Sequence, residues 1–140
     1  MKIITETATN KVIYAFSDGE EISITESGMT AGAIKALDIK PDTHQVIQTD
    51  VALPNAFVGG AWTFDGAAYA VDNQEAVTAK EDEAMESLRT ERNRLLAETD
   101  WTASTDVTMT AEMTTYRQDL RDLPANTDDV FNPVYPEKPE

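Results

Sequence analysis

From Asn73 to Glu98 the chain contains neither Gly nor Pro, and Ala, Glu, Leu and Arg dominate it. These are good helix formers, and so long a run without a breaker predicts one extended helix. Everything before it differs in kind. From Met1 to Val71, short β-branched and aromatic runs alternate with turn signals. The break near Asp72 therefore separates a β half from a helical half, giving an α+β chain. Asp72 or Asn73 can cap the helix, and Glu75 places negative charge in its first turn.

In the first half, Lys11 to Ser17 reads as a strand, and Asp18-Gly19 as a hairpin turn leading to Glu20–Thr25. Ile22 and Ile24 alternate with polar residues there, as in a half-buried strand. The Pro41-Asp42 turn precedes a further strand within His44–Val51. Ala31 to Ala36 has no clear period and fits a helical turn or a loop. Leu53 to Val71 carries two aromatic runs parted by Asp65-Gly66, which predicts a hairpin with Trp62, Phe64 and Tyr69 as its large side chains. The expected product is an all-β domain over residues 1–72, small and sandwich-like.

In the second half, Met85, Leu88, Arg92 and Leu95 are spaced 3-4-3, the seam of a coiled coil or of a helix that packs on one neighbour. A lone helix of this length is marginal in water, so the seam requires a partner. Arg92 either bonds to a polar partner such as a carbonyl or runs its stem out to solvent. Beyond a polar loop, Thr102 to Thr110, a second helix is expected from about Ala111 to Asp122. Met113, Tyr116, Leu120 and Leu123 repeat the 3-4-3 spacing, and Pro124 is expected to stop it. Residues 73–124 thus read as a helical hairpin, and residues 125–140 as an extended Pro-rich tail. Locally, Asp100 is expected to fold onto backbone N–H groups past the first helix, with Trp101 packed on the helix pair. Arg117 and Arg121, one turn apart, share a face that can clamp Glu98 or Asp100.

Composition removes several functions. The net charge is −15, with four Lys against eleven acids up to Val77 and seven basic residues against fifteen acids afterwards. So acidic a surface argues against a nucleic-acid backbone as partner. There is no Cys and one His, His44, so thiolate zinc sites, cysteine nucleophiles and His-dependent triads lack their parts. Gly59-Gly60 has no strand-to-helix phosphate-loop context. No apolar run approaches the roughly 20 residues that span a bilayer, and the first residues lack the apolar core of a signal peptide. The expectation is a soluble, cytoplasmic protein with no catalytic residues, no cofactor, no metal and no membrane partner.

Arg92-Asn93, Leu95, Thr99-Asp100-Trp101, Tyr116-Arg117 and Leu120-Arg121-Asp122, in that order, resemble the C-terminal module of bacteriophage tail fibre assembly chaperones. The ending Tyr135-Pro-Glu-Lys-Pro139 resembles the family's aromatic-Pro-x-Lys-Pro close. One departure is Met113, which stands where family members usually carry Trp. The resemblance implies a non-enzymatic chaperone that binds the distal part of a trimeric phage tail fibre and promotes its folding and trimerisation. It implies a homotrimer in a 3:3 complex with the fibre, acting in the host cytoplasm during assembly and able to remain on virion fibres. Met85, Leu88, Arg92, Leu95, Trp101, Tyr116, Arg117, Leu120 and Arg121 are the candidates for self-association. Phe57, Trp62, Phe64 and Tyr69 are the candidates for the fibre-facing surface. A structural virion component, such as a fibre or baseplate subunit, is the alternative reading.

Overall fold

The computed structural model describes residues 1–104 and 106–139, which divide into two units, Met1–Thr78 and Ala79–Glu140. The first is all-β apart from the opening turn of a helix, and the second is helical, as the α+β reading expects.

The first unit builds two antiparallel sheets. Strands β1 (Lys2–Glu6), β2 (Lys11–Phe16), β6 (His44–Gln48), β7 (Trp62–Phe64) and β8 (Tyr69–Val71) form one, in the order β6-β1-β2-β7-β8. Strands β3 (Ile22–Thr25), β4 (Gly28–Ala31) and β5 (Ile34–Ala36) form the other in sequential order. Strand β1, between β6 and β2, is apolar on both faces. Ile4 packs in a cluster with Met29, Ala36 and Ile39, bringing residues of both sheets together as a sandwich requires. Ile3 packs on the opposite face with Val12 and Phe64, where Val51 and Phe57 from the long β6–β7 connection cover it. Ile3, Ile4 and Val12 are wholly buried. At about 1.5–3 kcal/mol per buried side chain, β1 anchors this half.

A β-bulge makes the two-faced sheet possible. Ile4 stands opposite Tyr14 but Thr5 stands opposite Val12, so Ile13 is an extra residue on β2. Strict alternation would put Val12, Tyr14 and Phe16 on one face. The extra residue turns Val12 to the Ile3 face while Tyr14 and Phe16 stay on the Ile4 face. Gly59 lies too close to the Ile13 carbonyl to carry a Cβ, and the Gly60 N–H donates to the Val12 carbonyl at 2.7 Å. Gly59 therefore serves this close approach, and Gly60 the turn beside it, at a φ of +81°.

Two local expectations are corrected. Asp18-Gly19 does not close a hairpin, because β2 and β3 lie in different sheets. Gly19 is not among the residues at positive φ, which the tight primed hairpin turns demand. Ala31 to Ala36 is neither helical turn nor loop but the β4–β5 hairpin, reversed at Gly32, whose φ is +56°. The Asp65-Gly66 hairpin joins β7 to β8 as expected, with Phe64 opposite Tyr69. Asp65 Oδ1 accepts from the Ala67 and Ala68 N–H groups at 2.8 Å each, and these bonds hold its carboxyl below the usual carboxylate range.

Helix α1 spans Gln74–Ala97, beginning in the first unit and continuing through the division after Thr78. Asn73 is the cap, its Oδ1 accepting from the Ala76 N–H at 3.2 Å. Helix α2 spans Ala111–Asn126, capped by Thr110, whose side chain accepts from the Met113 N–H at 3.2 Å. Pro124 lies inside α2 and does not stop it. Lacking an N–H, it forfeits only the one bond to Leu120, and a last-turn position leaves little helix to disrupt. The Thr127 hydroxyl then satisfies the Leu123 carbonyl at 2.7 Å.

Gly28 tests the packing of the small sheet. Its φ is +119°, and a Cβ there would meet the Ala36 carbonyl oxygen at 2.6 Å and Leu37 Cα at 2.8 Å. Gly28→Ala should cost about 2 kcal/mol or more. Gly19→Ala, with nothing within 4 Å of its Cβ, should be neutral or stabilise by up to about 1 kcal/mol. Thermal unfolding of the two variants checks the ordering, and equal melting temperatures would contradict it.

Candidate assembly interface

In the second unit, the end of α1 meets the middle of α2 at one buried cation. Arg117, 6% exposed, donates through Nη1 to the Leu96 carbonyl at 3.0 Å and to Thr99 Oγ1 at 2.5 Å. Its Nη2 donates to Asp100 Oδ1 at 2.9 Å. Leu96 lies in the last turn of α1, where the macrodipole favours a cation, and its carbonyl also accepts from the Thr99 N–H at 3.1 Å. Thr99 is wholly buried; its hydroxyl donates to the Leu96 carbonyl at 3.0 Å while accepting from Arg117. A short 3-10 helix, Asp100–Ala103, follows, and the Thr102 hydroxyl donates to the Thr99 carbonyl at 2.6 Å. The guanidinium thus closes the helix end and fixes the turn after it.

The sequence-derived candidates sort into buried and open sets. Leu88, Tyr116, Arg117 and Leu120 are buried within one chain, Leu120 completely. Arg92, partly buried, donates from Nη1 to the Arg121 carbonyl at 3.4 Å and from Nε to Asn93 Oδ1 at 2.8 Å. Of its two alternatives, the carbonyl-bonded one is realised. Met85 and Leu95 are partly buried, and Arg121 is exposed. Trp101 departs from expectation: it is 64% exposed rather than packed on the helix pair. It is the second residue of the short helix whose first residue, Asp100, is paired with Arg117. Asp100 likewise meets that guanidinium instead of folding onto backbone N–H groups, because a charged fork is the stronger donor.

Charge pairing on α1 follows helical spacing: Arg94 bonds Glu91 at 2.6 Å and also pairs with Glu98 one turn on. The bond from Arg94 holds Glu91 below the usual carboxylate range. Burial pushes the Tyr116 hydroxyl upward, and the charge of Glu98 adds to the shift. The tail returns to this helix end, with Lys138 Nζ 3.9 Å from Glu98 Oε2. Burial also raises Tyr135, and the charge of Glu91 contributes. Met113 lines a cavity of about 250 Å³ together with Trp101, Val107, Met109, Lys138 and Pro139.

In the first unit, Phe57, Phe64 and Tyr69 gather on the Ile3 face of the large sheet. Phe64 is 2% exposed, and its ring centroid lies 4.7 Å from that of Tyr69. The Tyr69 hydroxyl is buried without a hydrogen-bond partner, and burial pushes its pKa upward. Trp62 is partly buried, donating from Nε1 to the Ala56 carbonyl at 3.3 Å. The open apolar side chains of this unit are others: Ile34, Leu37, Val46 and Val71. Sequence reading passed over them because an isolated aliphatic residue carries no sign of its exposure.

Among the described residues, no three or more His, Cys, Asp or Glu side chains are placed to share a metal ion. Nor is any helix among them long and apolar enough to cross a membrane.

Residues 85–140 match the family model described as phage tail assembly chaperone protein. That stretch falls within the helical unit and makes it similar to the family over that part of the chain. The match takes in Arg117, its ligands Leu96, Thr99 and Asp100, both ends of α2 and the tail, so the buried cation lies wholly inside it. No curated protein and no solved structure matches the chain. The similarity supports a role in phage tail assembly.

Arg117→Ala leaves the Leu96 carbonyl and the Thr99 hydroxyl without their cation. It should destabilise the helical unit by about 2–4 kcal/mol. Arg121→Ala, at an exposed side chain, should change stability by less than about 0.5 kcal/mol. Urea unfolding read by far-UV circular dichroism separates them; similar midpoints would contradict the buried role of Arg117.

Proposed function

We propose that this chain is a non-enzymatic tail fibre assembly chaperone. Its β unit holds the distal part of a trimeric phage tail fibre, and its helical unit gathers copies into a homotrimer, giving a 3:3 complex. The match over residues 85–140 carries the reading. A fibre tip is an intertwined trimer whose strand edges and apolar faces stay open until three chains meet. A holder that covers them suppresses aggregation, and a trimeric holder raises the effective concentration of the three chains. The activity needs no nucleotide. It takes place in the host cytoplasm, and the chaperone can remain on the finished fibre.

The geometry refines the roles within this proposal. Leu88, Arg92, Tyr116, Arg117 and Leu120 hold the helical hairpin of each copy. Trp101, 64% exposed beside the cavity lined by Met109 and Met113, is the anchor between copies, assisted by Met85, Leu95 and Arg121. Large aromatic anchors at apolar pockets commonly dominate such contacts. Phe64, buried, supports the fibre-facing surface from beneath; Phe57, Trp62 and Tyr69 shape it.

Co-expression with the adjacent long fibre gene, followed by co-purification and native mass measurement, tests the reading. The expected result is a soluble equimolar complex; fibre that is equally soluble and trimeric without this chain would overturn it. Trp101→Ala should reduce the oligomer mass while leaving helix content unchanged. Leu88→Asp should unfold the helical unit by placing a charge in its interior. An unchanged mass for Trp101→Ala would place the contact between copies elsewhere.

A further inference from the structure

Among the described residues, one of the four sheet edges is guarded least. Natural sheets protect their edges with short strands, charges, Pro or bulges, because an open row of backbone groups recruits another strand. Strands β5 and β8 are three residues long, and β5 carries Lys35. Strand β3 has four residues and is bounded directly by Glu21 and Glu26, whereas the acids nearest β6, Asp42 and Asp50, each stand one residue further off. Strand β6, His44–Gln48, has five residues, neither Lys, Asp, Glu nor Pro, and an unbroken register with β1.

The backbone of β6 shows which groups it offers. Met1 and Thr49 exchange hydrogen bonds, the Met1 amine donating at 2.8 Å and the Thr49 N–H at 3.0 Å. In an antiparallel ladder, hydrogen-bonded pairs alternate with non-bonded ones. Ile3 with Ile47 and Thr5 with Gln45 therefore bond across β1–β6, and the Thr7 N–H to the Thr43 carbonyl at 2.8 Å keeps the same phase. Val46 and Gln48 point their N–H and C=O groups away from β1, and among the described residues none of the four has a hydrogen-bond partner. The Val46 side chain is 42% exposed beside them.

We infer that β6 is the docking edge for an extended strand of the chaperoned tail protein, added antiparallel or parallel through the backbone of Val46 and Gln48. This rests on the chaperone reading and names the surface that performs it. Alternate side chains of the added strand would lie beside Val46 and Ile47 on opposite faces, so the client segment is alternating and apolar opposite Val46. Charge selects a client over a second copy. The unit up to Thr78 carries four Lys and eleven acids, a net −7, so two such units joined edge to edge repel. A neutral or basic segment does not.

The test uses the full chain co-expressed with the long fibre protein. Val46→Pro removes an outward N–H and spares the ladder to β1, because Pro is tolerated on edges where its nitrogen faces solvent. Val46→Lys installs the charge that guarded edges carry. Both should keep the melting temperature and weaken capture of the fibre about tenfold or more. Amide exchange at Val46 and Gln48 should be fast in the free chain and protected in the complex. A complex that forms with those amides unprotected, and equally with Val46→Pro, overturns the docking edge and leaves the chaperone reading standing. No complex at all overturns both. Protection in the chain alone, rising with concentration and with a doubled mass, assigns the edge to self-pairing and overturns the client.

Discussion

The helical unit depends on how one guanidinium is satisfied. A helix end exposes carbonyls with acceptor capacity to spare, and an arginine buried without partners is prohibitively costly. Each problem solves the other here: Arg117 of α2 meets the Leu96 carbonyl, the Thr99 hydroxyl and the Asp100 carboxylate at the end of α1. The contact fixes the turn that sends the chain back toward α2, and it leaves Asp100 and Trp101 on the outside, 67% and 64% exposed respectively. A single interior interaction therefore decides which residues remain for a partner.

The β unit is organised by a different constraint. A strand apolar on both sides must be covered twice, and β1 is covered by the small sheet on one face and by the β6–β7 connection on the other. The bulge at Ile13 supplies the right side chains to each face, and Gly59 and Gly60 let the connection approach it. Placing β1 in the interior also leaves β6 outermost beside it. The same arrangement that builds the core thus creates the open edge.

Much of this was legible from residues alone. The Gly- and Pro-free run located α1, Asp65-Gly66 located the β7–β8 hairpin, and the two 3-4-3 patterns found Leu88, Tyr116, Leu120 and Leu123, all of them buried. What was not legible depends on relations between distant segments. Nothing local tells that Asp18-Gly19 links two sheets, because the same turn residues serve both purposes. Nothing local tells that Ile13 is a bulge, since its side chain suits either face. Pro124 read as a stop because propensity overlooks how little helix remains beyond it. Trp101 read as packed because size alone argues for burial, whereas its exposure follows from the Asp100–Arg117 contact. Of the short motifs read in order, Thr99-Asp100 and Arg117 are residues that close the hairpin.

The central claim is that Arg117 and the end of α1 form one energetic unit inside a single chain. A double-mutant cycle of Arg117→Ala and Thr99→Val, measured by urea unfolding of the full-length protein, tests it most directly. The account predicts a coupling of about 1 kcal/mol or more, since the two groups share the Leu96 carbonyl and one hydrogen bond. Additive losses, with coupling indistinguishable from zero, would contradict it.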